Sequence, residues 1–559
     1  MKLKLVLYAF AAICLLSGMN VFGQSYAVTN AKIVTVSGAT IERGTVVIRN
    51  GLIESVAADA KVPADAQVFD GTGLTVYPGF VDSMSNLGLA ARPTPTPGGP
   101  GGGGGGAAAA AAAAAQAQPS NSNFPAGLRP EEMTIEEIRA GEAQFEAVRN
   151  AGFTTALSTG RTGIFTGQSA LINLAGENVS DMTVRAPVAM HIAFATIPGR
   201  YPGSLLGTFS ALRQMFNDAK RHDELLKMYA ADPKGMKRPA ADKSLEALIP
   251  VVNGQIPVVF VANRENEITR ALDLAKEYNL KAIIAGGQES ANFTERLKSQ
   301  NVPVLLSLNF PKRTAAASPD ADPESMDTLR FRAETPKVAG KLAAAGIKFA
   351  FQSGGAASVN DFVANAVKTT ENGLSKDAAI RAMTLSPAEI FGVSDRTGSI
   401  EPGKIANLTV VKGDLFGSQK TLTHVFVDGK LFEPKPPEAS AGRGPGGRRG
   451  EGGGPNPSAL PNIGGTYSIN IQAPGQALTG TLNLTQQGGQ LTGTMVTELG
   501  STQLKDGRVT QNGFSFAGTV VFGGQTIDFT VQATVAGNQF TGTVDSPQGA
   551  IPITGTKTP

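Results

Sequence analysis

Apolar and polar positions alternate in short runs over residues 26–77. Tyr26-Ala-Val-Thr-Asn-Ala-Lys-Ile-Val-Thr-Val, Gly44-Thr-Val-Val-Ile and Gly51-Leu-Ile-Glu-Ser-Val are rich in β-branched residues and broken by Gly and Asn. That pattern predicts a small antiparallel sheet with tight turns. From about 130 to 392 the period changes. Helical patterns, such as Pro130–Ala151, Glu265–Tyr278, Ala291–Gln300, Thr335–Ala345 and Ser375–Thr384, alternate with short apolar runs beginning at Pro257, Lys281, Val302 and Lys348. Alternating strands and helices predict parallel α/β packing, and roughly 260–300 residues suffice for a (β/α)8 barrel. Residues 400–432 return to strands, with turn signals at Lys412-Gly413-Asp414 and Asp428-Gly429. Residues 463–559 read as an antiparallel meander, either a small barrel or a sandwich. Thr-Gly-Thr recurs there at 479–481, 492–494, 541–543 and 554–556, with Ala-Gly-Thr at 517–519.

Two segments lack any period. Residues 91–128 contain Pro/Thr/Gly, glycine and alanine runs and are expected to be a disordered insertion; residues 433–462 are rich in Pro, Gly and Arg and read as a linker. At the N-terminus, Lys2 and Lys4 precede an apolar run from Leu5 to Leu16, too short to span a bilayer. With Val21 and Gly23 at the −3 and −1 positions, it reads as a signal peptide, residues 1–23, cleaved before Gln24. The mature chain is expected to be exported, periplasmic or secreted, without an integral membrane segment.

Composition narrows the chemistry. The 559 residues carry 49 Lys+Arg against 46 Asp+Glu, a formal charge of +3, which gives no electrostatic case for nucleic-acid binding. One Cys, Cys14 in the signal, excludes a disulfide framework and a Cys-rich zinc site. Three His are few for a metallohydrolase. There is no Gly-x-Ser-x-Gly elbow and no His-Glu-x-x-His motif.

Two long motifs resemble the amidohydrolase superfamily, specifically its secreted imidazolonepropionase-like branch, over roughly 26–432. Val76-Tyr-Pro-Gly-Phe-Val-Asp-Ser-Met-Ser-Asn-Leu-Gly-Leu resembles the family's Pro-Gly-Phe-Ile-Asp-x-His-x-His-x-Gly. Gly373-Leu-Ser-Lys-Asp-Ala-Ala-Ile-Arg-Ala-Met-Thr-Leu-Ser-Pro-Ala-Glu-Ile-Phe-Gly and Arg396-Thr-Gly-Ser-Ile-Glu-Pro-Gly-Lys-Ile-Ala-Asn-Leu-Thr-Val-Val resemble its C-terminal signature. The resemblance implies a TIM (β/α)8 barrel over 78–392, with residues 24–77 and 393–432 joined in one composite β-sandwich; the C-terminal β domain, 463–559, is additional. In the family, His, a carboxylated Lys or Glu, and Asp at the strand ends hold one or two divalent metals, normally zinc. The metal acidifies a bound water that attacks an amide-type carbonyl.

Carried over position by position, the resemblance meets no ligands. The His-x-His pair falls on Met84 and Asn86, and the fifth-strand motif on Val261-Ala262-Asn263-Arg264. The sixth-strand His falls on Gly286 and the eighth-strand Asp on Ser353. His191 aligns near the carboxylated-Lys position, whereas His222 and His424 read as surface residues. A thioether, an amide and an alkyl group are poor company for a zinc ion, and a serine hydroxyl does not replace a carboxylate base. The pocket positions are therefore Met84, Asn86, His191, Val261, Asn263, Gly286 and Ser353, with no catalytic residue, no metal and no cofactor assigned. Asp82, Glu265, Glu289 and Arg264 are the charged residues expected nearby.

The sequence thus describes an exported amidohydrolase-family protein without metal-dependent activity. It would act as a non-catalytic partner of an intact relative, as a homo-oligomer, or as a ligand-binding homologue. The rival readings are an active hydrolase of non-peptide C–N bonds with an atypical site, and an envelope- or polymer-binding protein using its C-terminal domain.

Overall fold

The computed structural model describes residues 25–89, 124–141, 143–197, 201–313, 324–353, 359–417, 419–434 and 463–558, except 474–475, 489, 499, 511–512, 523–524 and 547–548. The segment expected to be a signal peptide (1–23), most of the Gly/Ala-rich insertion and the expected linker at 433–462 lie outside these residues, apart from residues 433 and 434. The chain divides into two compact units, Met1–Glu438 and Ala439–Pro559.

The first unit is built on three sheets. Strands β1 (Tyr26–Ile33), β2 (Ile41–Arg49), β3 (Leu52–Ala57), β4 (Gln67–Asp70) and β5 (Leu74–Pro78) come from the N-terminal flank. Strands β6 (Phe80–Ser85), β7 (Phe153–Ser158), β8 (Phe165–Gln168), β9 (Ala170–Asn173), β10 (Thr183–Arg185), β11 (Met190–Ala193), β12 (Val258–Ala262), β13 (Ala282–Gly286), β14 (Val304–Ser307) and β15 (Phe349–Gln352) form the α/β body. Strands β16 (Leu408–Lys412), β17 (Thr421–Val427) and β18 (Lys430–Phe432) follow it.

The two flanks share one sheet, ordered β18-β17-β16-β5-β1-β2-β3 with β4 beside β1. Strand β5 runs parallel to β1 and antiparallel to β16, with Val76 opposite both Ile33 and Val410. Its apolar face buries Tyr26, Val28, Ile33, Val46, Ile48, Val76, Leu408, Val410 and Phe426. Two-residue turns close both outer hairpins, at Asn50-Gly51 and Asp428-Gly429, each with both residues at positive φ. This is the turn geometry that matches strand twist and that Asn-Gly and Asp-Gly favour.

In the α/β body, β6 pairs parallel with β7, and β11 to β15 pair parallel in order. The antiparallel strands β8 and β9 stand between these groups, on β11 and β7 respectively. The two sheets meet on both sides. Ser353 N–H donates to Asp82 Oδ1 at 2.9 Å beyond β15, and Ser169 N–H donates to the Ala189 carbonyl at 2.9 Å. Val81, Leu157, Val259, Ile283, Leu305 and Ala350 fill the space the strands enclose.

Three expectations change. The helix predicted over Pro130–Ala151 is two short helices, Thr134–Glu137 and Ala143–Arg149, because Gly141 turns left-handed between them at φ 76°. Phe124 to Leu128, counted with the disordered insertion, belongs to the ordered body: Leu128 is buried in the core and the Gly127 carbonyl accepts from Ile164 N–H at 2.8 Å. His222 is not a surface residue. It is 8 % exposed on the helix Leu205–Ala231, where the helix Lys243–Val252 packs over it and brings Glu246 within 3.7 Å of Nε2.

The second unit is a closed antiparallel barrel. Strands β19 (Gly465–Ala473), β20 (Gln476–Gln487), β21 (Gln490–Thr497), β22 (Gly500–Gln503), β23 (Lys505–Thr510), β24 (Gly513–Phe522), β25 (Gln525–Ala536), β26 (Gln539–Ser546) and β27 (Gly549–Lys557) build it. The ring runs β19-β20-β21-β23-β24-β25-β26-β27 and back to β19, with β22 added on β21. Tyr467, Leu482, Phe514, Phe516, Val531 and Phe540 fill it. The repeated Thr-Gly-Thr now has a physical reason. In each copy the glycine stands two residues from a core residue, as Gly493 does from both Leu491 and Met495, so it faces inward. A Cβ on Gly480, Gly493 or Gly542 would lie 2.1, 1.8 or 2.2 Å from a neighbouring strand's carbonyl oxygen, and one on Gly555 would lie 2.1 Å from the Phe540 ring. The glycines admit the tight bend of a small barrel, and the flanking threonines face outward. Gly493→Ala is accordingly expected to destabilise this unit strongly, whereas Thr492→Ala, on the exposed face, should leave its melting temperature nearly unchanged; thermal unfolding followed by circular dichroism checks both.

Candidate ligand pocket

A cavity of about 330 Å³ opens at the C-terminal ends of the parallel strands. Strand alternation determines what reaches it. Val259 on β12 lies in the apolar interior, and Val261, two residues on, reaches the cavity; Leu305 and Ser307 on β14 repeat this step. Met84 and Asn86 arrive from the end of β6, Asn263 from the loop after β12, and Gly286 from the end of β13. Five of the seven predicted positions therefore converge.

The other two lie elsewhere. His191 pairs in register with Val259 on β11, one layer below Ala193, which does line the cavity. It is 0 % exposed, neither ring nitrogen has a hydrogen-bond partner, and burial pushes its pKa down to about 3. It is a neutral imidazole in an apolar layer. Ser353 borders an adjoining cavity of about 210 Å³, together with Asp82.

Polar groups unforeseen in the sequence join the lining, among them Thr159, Arg161, Gln288, Ser307, Asn309 and Gln352. Three of the carboxamides have a defined orientation. Asn86 Nδ2 donates to the Thr159 carbonyl at 2.7 Å, Gln288 Nε2 to the Asn309 carbonyl at 2.9 Å, and Gln352 Nε2 to the Leu305 carbonyl at 3.1 Å. A carbonyl only accepts, so each NH2 must face its backbone partner. Arg161 lines this cavity, the adjoining one, and a third of about 220 Å³ beside Glu132 and Glu137. Its guanidinium donates to the Leu89 carbonyl at 3.3 Å. The only local signal for it was its place in the Gly-rich loop that follows β7.

The acids near the site are engaged in structure. Asp82 is 5 % exposed, and its Oδ1 accepts from the N–H groups of Ser353 (2.9 Å) and Met84 (3.3 Å). Burial outweighs these bonds and raises its pKa to about 6. Glu289 pairs with Arg264 at 2.8 Å and accepts from Glu265 N–H at 2.7 Å; the Arg264 guanidinium also stacks 3.5 Å over Phe331. Glu265 accepts from Asn292 Nδ2 at 2.6 Å. Among the described residues no three His, Cys, Asp or Glu side chains group as a metal site. The cavity offers a thioether, carboxamides, hydroxyls and an arginine, a donor set that does not fit zinc or another divalent metal.

The chain belongs to the amidohydrolase family, whose model matches residues 139–432, just over half of its length. Among solved structures, it is similar to an amidohydrolase from Thermotoga maritima MSB8, with 23 % identity and a TM-score of 0.59, covering 73 % of this chain and 100 % of that one. It is also similar, more distantly, to a Xaa-Pro dipeptidase with bound methionine in the active site (15 % identity, TM-score 0.41, 73 % and 100 % covered) and to phenylurea hydrolase B (15 %, 0.43, 74 % and 97 %). No curated protein matches it. No helix among the described residues is long and apolar enough to cross a membrane.

Proposed function

We propose that this chain is an exported member of the amidohydrolase family that binds a small polar ligand at the strand ends and does not hydrolyse it. The α/β body is then a (β/α)8-type barrel in which the β8–β9 hairpin takes one strand's place. The observation that carries the reading is convergence. Met84, Asn86, Val261 and Gly286, four positions that match metal-ligand motifs, meet in one cavity whose polar groups are carboxamides, hydroxyls and Arg161. Such a surface recognises a ligand by hydrogen bonding and supplies neither an ion to acidify water nor an available general base. Asp82, the buried acid closest in sequence to Met84, has its Oδ1 occupied by two backbone donors.

Metal analysis of the mature protein, purified without chelators, tests this reading. The expected result is no stoichiometric zinc, manganese or iron, and no rise in melting temperature on adding excess zinc, since an ion that bound the native state would stabilise it. One tightly held zinc per chain, with amide hydrolysis that chelation abolishes, would overturn the reading.

A further inference from the structure

Gly286 ends β13 with φ 97°, in the left-handed region. A Cβ built on it would lie 2.3 Å from Asn263 Oδ1, 2.7 Å from Asn263 Cγ and 3.0 Å from Asn263 Nδ2. Those distances are far inside van der Waals contact, so any side chain at 286 must displace the Asn263 carboxamide. The backbone of Asn263 is fixed, so the carboxamide can clear that room only by rotating about its own side-chain bonds. The Asn263 N–H donates to Glu267 Oε2 at 2.7 Å, and its carbonyl accepts from Glu289 N–H at 3.0 Å. Gly287 N–H donates to the Ala262 carbonyl at 2.8 Å, and Glu289 is held by Arg264 and by Glu265 N–H. The loops after β12 and β13 are therefore fastened to each other on both sides of the contact. Asn263 Oδ1 itself is buried without a hydrogen-bond partner, so packing over the bare Cα of Gly286, and not a hydrogen bond at that atom, accompanies its position.

We infer that Asn263 and Gly286 form one packing unit, in which the carboxamide from the β12 loop occupies the room a side chain at 286 would need, so that this pocket is closed to a metal centre by its shape as well as by its donor atoms. The inference rests on the non-catalytic reading and goes further. Restoring the missing donors one position at a time would not rebuild an ion site here, because the strand-six position has been given to a neighbouring amide. What the pocket offers at that point is the carboxamide of Asn263, a hydrogen-bonding group.

A double-mutant cycle on the full chain tests the pair. Thermal unfolding of the wild type, N263A, G286A and N263A/G286A is compared. G286A is expected to lower the melting temperature clearly and N263A only slightly. The double variant should melt above G286A, although it carries one more truncation. A double variant that melts at or below G286A overturns the inference. If G286A yields no folded protein, N263A/G286A is expected to fold; failure of both would place the obstacle in the backbone at 286 and would equally overturn it. A second arm reads zinc content after desalting in M84H/N86H and M84H/N86H/G286H. Neither is expected to retain one equivalent, and the triple variant should melt below the double. A triple variant holding one zinc per chain with unchanged melting refutes the closure. Zinc held in the wild-type pocket would defeat the non-catalytic reading and the closure together, whereas a failed cycle in a zinc-free wild type defeats the packing unit alone, so the two failures are distinguishable.

Discussion

Replacing His191 with leucine is expected to stabilise the first unit, and by more at pH 5 than at pH 7.5. The imidazole is fully buried in the layer of Val259, with both nitrogens unpaired, and its pKa falls from 6.5 to about 3. In the unfolded chain the same ring titrates normally. Between these values the unfolded state binds the extra proton, so stability is lost as pH falls from about 6.5 toward 3. The loss from this residue is about 2 kcal/mol at pH 5 and approaches about 5 kcal/mol near pH 3. Leucine has a similar volume and no proton to bind. Exchanging an unpaired buried polar group for an apolar one of like shape is neutral to favourable. The check is urea denaturation of wild type and H191L at both pH values. An H191L protein that is less stable at pH 7.5 and parallels the wild type down to pH 5 would show that His191 has a hydrogen-bonded role.

Asp82→Asn is expected to give the opposite pH profile. Burial raises the Asp82 pKa from 3.8 to about 6, so here the folded state binds the proton more tightly. Stability contributed by this residue rises as pH falls through about 6 and levels off below about 4, a span of about 3 kcal/mol. Asparagine resembles the protonated acid and keeps an oxygen for the N–H groups of Ser353 and Met84. D82N should therefore gain on the wild type by up to about 3 kcal/mol at pH 7.5, with the gain vanishing near pH 4. Asp82→Ala should lose stability across the range, because it leaves those two partly buried N–H groups without their acceptor, at up to about 1–3 kcal/mol each. The difference between variant and wild type is the quantity to follow, because Glu334, whose pKa ion pairs with Lys337 and Lys341 lower to about 2, has an opposing trend that cancels in it. A D82N curve parallel to the wild type at all pH values would contradict this account.

The sequence was most legible where chemistry is local. Asn50-Gly51 and Asp428-Gly429 announced their hairpins because few residue pairs tolerate two positive φ values. Glu265–Tyr278 was readable as a helix because its apolar face is regular. Convergence of Met84, Asn86, Val261 and Gly286 was legible only through the resemblance to the amidohydrolase motifs, which places those positions at strand ends. Illegible features depended on contacts remote in sequence. Arg161, Ser307 and Asn309 line the cavity because of where β7 and β14 end in the body, and nothing beside them in sequence marks that. His222 looked like a surface residue among Lys220, Arg221 and Asp223 until a second helix covered it. His191 sits on a strand face that alternation could assign only once β12 was known to lie beside it. The Thr-Gly-Thr repeat identified strands correctly, but its reason, an inward glycine at a bend, appears only when the sheet closes on itself.

The shared sheet of the first unit also imposes a schedule. Strand β5 is complete at residue 78, yet its partner β16 begins at residue 408, so the whole α/β body is synthesised between them. While the chain is being made, Leu74–Pro78 offers a free strand edge, the kind of surface that invites pairing with another chain. That edge is sealed only by the last strands of the unit. Completion of the sheet thus reports that the intervening body has been made and has brought its two ends together, and a nascent chain cut short anywhere before β16 keeps its N-terminal sheet open to chaperones and proteases.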